Sequence, residues 1–154
     1  MRVTRYEPGG ISTYALLLDC ATVGDGIPDF WRQHYLGGGG QTTNSQSCAR
    51  CDKNKIGQDN GTKHMAALNP LNPASMFDLQ ISKSAGSSAG YHLTYSPTYT
   101  NRTYTVQYAT NMGNPVFTNL IDFAGPIPGT NQTTITDINT SQQTRFYRVR
   151  VAYP

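Results

Sequence analysis

At 154 residues the chain has room for one domain, or one domain with a small appended motif. Only 14% of residues are charged and the net charge is +3, with Arg and Lys scattered along the chain, which excludes the basic stripe that nucleic-acid binding needs. Thr, Asn, Ser, Gln and Gly are abundant beside ten tyrosines, a mix that favours short strands and polar turns over a helical bundle, and no apolar run reaches the ~18 residues of a membrane helix.

Residues 1–20 read as an N-terminal extension or edge strand. Ala15-Leu16-Leu17-Leu18 is the best candidate for a secretion signal, but it is shorter than the ~7 apolar residues of a signal core. The segment is therefore expected to be mature chain without a signal peptide, or the edge of a larger gene product. Within it, residues 11–19 are expected to form a strand with Tyr14, Leu16 and Leu18 on one face.

Residues 21–75 hold two loops rich in Asp, Asn and Gly, each running into a short expected helix. Such loops suit a hard cation held by oxygen ligands. Counting Ala21 as the first position of a twelve-residue calcium loop puts Asp25 fifth, Gly26 at the sharp turn, Ile27 where a carbonyl ligates and Asp29 ninth. Counting Asp52 as the first position of a second loop puts Asn54 third, Gly57 at the turn and Asn60 ninth. Both loops are incomplete: Ala21 and Val23 offer no ligand, and the closing position holds Arg32 in one loop and Lys63 in the other, where a bidentate carboxylate is expected. Two readings stay open. One composite calcium site could draw on Asp25, Ile27, Asp29, Asp52, Asn54 and Asn60, or Arg32 and Lys63 could replace the metal by pairing with these acids.

Pro28 suits a helix start, Phe30, Trp31, His34 and Tyr35 form an apolar stripe, and Gly37–Gly40 end the helix. A second short helix is expected from Lys63 to Leu68, stopped by Asn69-Pro70-Leu71-Asn72-Pro73. Cys48 and Cys51 form Cys-Ala-Arg-Cys. A loop disulfide with Cys20 left over, half of a zinc site completed by Cys20 and His64, and a redox pair are all compatible with that spacing.

From Met76 to the end of the chain the period becomes two. Phe77, Leu79 and Ile81 alternate with polar residues, then Tyr91, Leu93 and Tyr95, then Tyr104, Val106 and Tyr108. Strands at 116–123, 132–138 and 145–152 follow, the last with Tyr147, Val149 and Val151 on one face and Arg148 and Arg150 on the other. Strands at this spacing predict a mainly β chain, an antiparallel β-sandwich over residues 76–154 preceded by the small helical loop motif. Strand 11–19 is expected to join it as an edge, and exposed edges make a homodimer an expectation too.

Gly24-Asp25-Gly26-Ile27-Pro28-Asp29-Phe30-Trp31, Gly57-Gln58-Asp59-Asn60 and Leu68-Asn69-Pro70-Leu71-Asn72-Pro73-Ala74-Ser75-Met76-Phe77 resemble the repeat-bearing C-terminal tails of large secreted proteins of environmental bacteria. In such tails, dockerin-like or thrombospondin-type-3-like calcium loops lead into a fibronectin-III-like or immunoglobulin-like module. Arg102-Thr103-Tyr104-Thr105-Val106-Gln107-Tyr108-Ala109-Thr110-Asn111 and Arg145-Phe146-Tyr147-Arg148-Val149 resemble that module. The resemblance spans residues 22–154 and implies a secreted, calcium-binding accessory module that attaches to a polysaccharide or a cell surface. Candidate glycan-stacking rings are Tyr95, Tyr99 and Tyr108, for which cross-strand packing is the other role.

No Gly-x-Ser-x-Gly elbow, His-Glu-x-x-His or Walker loop is present. His34, His64 and His92 are each scattered, and a lone histidine lacks the third group that orients a base. One catalytic alternative remains. Calcium at Asp25, Asp29 and Asp52 could polarise a carbonyl and position a water, with Asp59 or His64 taking the proton, to open an ester or lactone such as an acyl-homoserine lactone.

Overall fold

The computed structural model describes residues 2–7, 10–15, 20–83, 90–120, 131–138 and 144–153. The chain divides into two compact units, Met1–His64 and Met65–Pro154. It is mainly β; the described residues form two three-stranded antiparallel sheets, a hairpin and two short helices.

In the first unit, β1 (Arg2–Glu7) and β2 (Gly10–Ala15) pair antiparallel from Arg2↔Ala15 to Glu7↔Gly10. Strand β2 covers the first part of the strand expected at 11–19, whose residues 16–19 lie outside the described residues. Its sheet partner is β1 and not a strand of the later sheets. Only Pro8 and Gly9 separate the two strands, so closing this local pair costs little chain entropy.

Helix α1 (Asp29–Leu36) starts behind Pro28, whose φ of −61° suits a helix entry, and stops at Gly37, which at φ +79° donates its N–H to the Gln33 carbonyl. Helix α2 (Asn60–Met65) begins three residues before the expected Lys63. The reason is Asp59, whose Oδ1 accepts the Thr62 N–H at 2.8 Å and so caps the first turn. Ala67, at φ +57°, breaks the helix before Leu68.

In the second unit, β3 (Asp78–Lys83), β4 (Tyr91–Ser96) and β7 (Thr133–Asp137) form one sheet in the order β3-β4-β7. Strands β5 (Thr103–Ala109), β6 (Thr118–Asn119) and β8 (Phe146–Ala152) form the other in the order β6-β5-β8. Leu93 and Tyr95 of the first sheet meet Tyr104 and Val106 of the second in one buried cluster, with Phe77, Leu79, Ile135, Tyr147, Val149 and Val151 packed around it. Tyr95 lies 5.5 Å from Tyr104, ring centre to ring centre, and burial pushes its hydroxyl pKa up to about 12.

The alternation in β8 holds as expected, with Arg148 and Arg150 exposed. His92 likewise faces away from the core and bonds Thr136 across the strand pair at 2.9 Å. Ile81 keeps the alternation of β3 but is exposed. Of the strand expected at 116–123, the described residues 116–120 form only β6; residues 121–123 lie outside the described residues.

Asp137 closes one end of this core. It is buried, pairs with Arg145 at 2.5 Å and accepts the Tyr147 hydroxyl at 2.8 Å. Burial, and then that bond to a carboxylate, raise the Tyr147 pKa.

Candidate functional site

The loop unit was the expected seat of a metal, and its turns form as counted. Gly26 and Gly57 occupy the equivalent sharp-turn positions at φ +82° and +84°, a region where only glycine sits without strain. The same spacing separates Cys20 from Cys51, Gly26 from Gly57, Asp29 from Asn60 and Arg32 from Lys63. It recurs in three dimensions: the first helical N–H of each motif, from Asp29 and Asn60, donates to the carbonyl of Cys20 and Cys51, at 2.7 and 2.9 Å.

Within the first turn the converging oxygens surround a guanidinium. Arg32 is 1% exposed. Its Nη2 donates to Asp25 Oδ1 at 2.7 Å and to the Ile27 carbonyl at 3.4 Å, its Nε to the Gly40 carbonyl at 2.9 Å, and its Nη1 to the Ser47 carbonyl. Two of the three groups expected to face calcium here, the Asp25 carboxylate and the Ile27 carbonyl, thus face Arg32. Asp25 also accepts the N–H groups of Ile27 at 3.2 Å and Ala49 at 3.0 Å. Partial burial pushes the Asp25 carboxyl up, but the Arg32 hydrogen bond, the two amides and the Arg32 charge outweigh it and hold the carboxyl below its ordinary range.

The second turn repeats the scheme with an ammonium. Lys63 is fully buried and its Nζ donates to Asp52 Oδ1 at 3.1 Å, while Asp52 Oδ2 accepts the Gly57 N–H at 2.7 Å. Desolvation again raises the Asp52 carboxyl, and Lys63 and the turn amides override it, so the net direction is down.

The other expected ligands have separate tasks. Asp29 accepts the N–H and the hydroxyl of Thr22, Oδ1 to N at 2.9 Å. Asn60 donates through Nδ2 to the carbonyls of Gln46 at 2.8 Å and Cys48 at 2.9 Å, pinning the intervening loop. Asn54 Nδ2 is buried and finds no acceptor among the described residues. Among the described residues no group of three or more His, Cys, Asp and Glu side chains comes together, so Asp25, Asp29 and Asp52 each serve a different partner.

The pair proposed for catalysis is likewise engaged elsewhere. Asp59 caps α2, and His64 is buried with its ring edge-on to Trp31, 5.4 Å between centres. Cys48 and Cys51 form a disulfide with Cα atoms 5.0 Å apart, and Cys20 is a free, exposed thiol. The zinc reading of that motif gives way to a disulfide, the state shared by the loop-disulfide reading and the oxidised form of a redox pair.

Helix α1 also presents an open aromatic groove of about 610 Å³ lined by Phe30, Trp31, Gln33, His34 and Tyr35. Trp31 is buried and anchors it, with Tyr35 tilted against it at 5.0 Å and His34 edge-on to Tyr35 at 4.6 Å; Phe30 is 43% exposed. The sequence carried this signal as an apolar stripe. Of the rings expected to stack on glycan, Tyr95 is in the core and Tyr108 lies half-buried under the Arg145 guanidinium at 4.2 Å, leaving Tyr99 exposed.

No family model, curated protein or solved structure matches the chain.

Proposed function

We propose that the chain is a non-catalytic attachment module, a fibronectin-III-like sandwich carrying a paired-loop unit, which binds carbohydrate in the aromatic groove on α1. The observation that carries this reading is the groove itself. A sugar ring offers apolar C–H faces and hydroxyl edges; Phe30 and Tyr35 supply rings for the first, and Gln33 and His34 supply polar groups for the second. The Cys48–Cys51 disulfide supports residence in an oxidising, extracytoplasmic setting.

The test is retention on insoluble cellulose, chitin and xylan, comparing the wild-type chain with a Phe30→Ala/Tyr35→Ala variant whose melting curve confirms folding. Retention that the variant loses at least tenfold is the expected result. No retention on any glycan, or equal retention by both proteins, removes the groove from consideration.

We further infer that both loops work without calcium, each carrying its own cation at the closing position. The support is the burial of Arg32 and Lys63 and their direct bonds to Asp25 and Asp52. The hydrolase alternative lacks comparable support, since Asp59 and His64 are already engaged in capping and packing. Turnover of p-nitrophenyl esters or lactones by the purified chain would restore it.

A further inference from the structure

The loop from Cys48 to Gly57 carries Arg50, Lys53 and Lys55 within six residues, and all three are exposed. The loop's own acid, Asp52, is already neutralised by buried Lys63, and the ion pairs of this unit among the described residues are Arg32–Asp25 and Lys63–Asp52. None of the three exposed bases has an acidic partner among the described residues, so the loop presents three uncompensated positive charges to solvent.

Those charges sit on a fixed backbone. The Cys48–Cys51 disulfide staples one end, and Asn60 holds both of its cysteines through their carbonyls, at 2.9 Å each. At the other end the Lys55 N–H donates to the Asp52 carbonyl at 3.3 Å, and Lys55 itself is held at φ +56°. Little ordering of the main chain is left to lose on binding. Three bases spread over six residues of an exposed loop do not make a pocket for one small anion. They match a polymer that repeats its charge.

We propose that this loop docks a polyanionic glycan, one bearing carboxylate or sulfate groups along its chain, and that it does so separately from the α1 groove, none of whose lining residues it uses. A glycan is favoured over nucleic acid because the disulfide that fixes the loop belongs to oxidising compartments, where acidic polysaccharides are the abundant polyanions. Three contacts released against salt give a slope of about −2 in log affinity against log salt, by analogy with single-stranded polyanions, so affinity falls up to about a hundredfold from 50 to 500 mM salt.

The experiment measures binding of the full chain to polygalacturonate, heparin, dextran and a poly-dT oligonucleotide by calorimetry at both salt concentrations. It is repeated with an Arg50→Gln/Lys53→Gln/Lys55→Gln variant, whose changed side chains are all exposed, and with Phe30→Ala/Tyr35→Ala. The expected result is salt-sensitive binding to polygalacturonate or heparin, none to dextran, at least a tenfold loss in the triple variant and little change in the groove variant. Equal binding by the triple variant, no binding to either acidic glycan, or tighter binding to poly-dT overturns the proposal. Loss of acidic-glycan binding in the groove variant alone also overturns it, and would leave the groove reading standing.

Discussion

Arg32 joins three separate stretches of chain, since its partners are Asp25 and Ile27 before α1, Gly40 after it, and Ser47 in the following loop. Removing it leaves a partly buried carboxylate and three carbonyl groups without their donor. Arg32→Met is therefore expected to cost about 3–5 kcal/mol, the usual penalty for breaking a buried pair from one side. Arg32→Lys should recover only part of that, because one ammonium cannot reach acceptors spread around a planar fork. Urea unfolding of the three proteins measures both numbers. The same residue sets an acid limit. Asp25 and Asp52 have folded pKa values below their ordinary ones, so their contribution is present above the unfolded carboxylate value of about 4 and is lost as pH falls through the lower folded values. Melting temperature should be flat above about pH 5 and drop below about pH 4. In Arg32→Met the Asp25 share of that drop should shrink, with the Ile27 and Ala49 amides left to lower the carboxyl; an unchanged acid slope would mean that the guanidinium is not its source.

The paired turns show which parts of an element can be read from side chains. Gly26, Gly57, the glycine run after α1 and the alternation in β4, β5 and β8 were all legible, because each is a steric or periodic demand on the residue itself. Arg32 and Lys63 were visible as misfits at the closing position. Their acceptors were not, since the Gly40 and Ser47 carbonyls carry no side-chain signal. The start of α2 was displaced because Asp59 serves as a cap, a use that a carboxylate's identity does not separate from the proton-accepting role expected of it. Tyr95 and Tyr108 lie on strands read correctly, but whether a ring is buried or covered is decided by another strand, as with Arg145 over Tyr108. Gly40 combines two demands, since it sits at φ +76° and a Cβ there would stand 2.0 Å from the Asp29 carbonyl oxygen. Gly40→Ala should thus destabilise the chain by more than about 2 kcal/mol, well beyond an ordinary surface substitution. A melting temperature within error of wild type would show that the loop can step away from α1.

For the molecule as a whole, the question with the clearest physical answer is whether it depends on an ion. A protein that binds calcium gains RT ln(1 + [Ca]/Kd), about 2.7 kcal/mol at a hundredfold excess, which moves the melting temperature by several degrees. With Arg32 and Lys63 in place, melting in 5 mM calcium and in EDTA should agree within about one degree. A rise of several degrees with calcium would instead place an ion among Asp25, Asp29, Asp52, Asn54 and Asn60. Three of the four oxygens around Arg32 are main-chain atoms, so substitutions at Ile27 or Ser47 that preserve the backbone leave the cradle intact. Other polypeptides of this design would then be hard to find by scanning for strings of acids. The better fingerprint is a turn glycine with a base six positions downstream, repeated once, as Gly26 precedes Arg32 and Gly57 precedes Lys63.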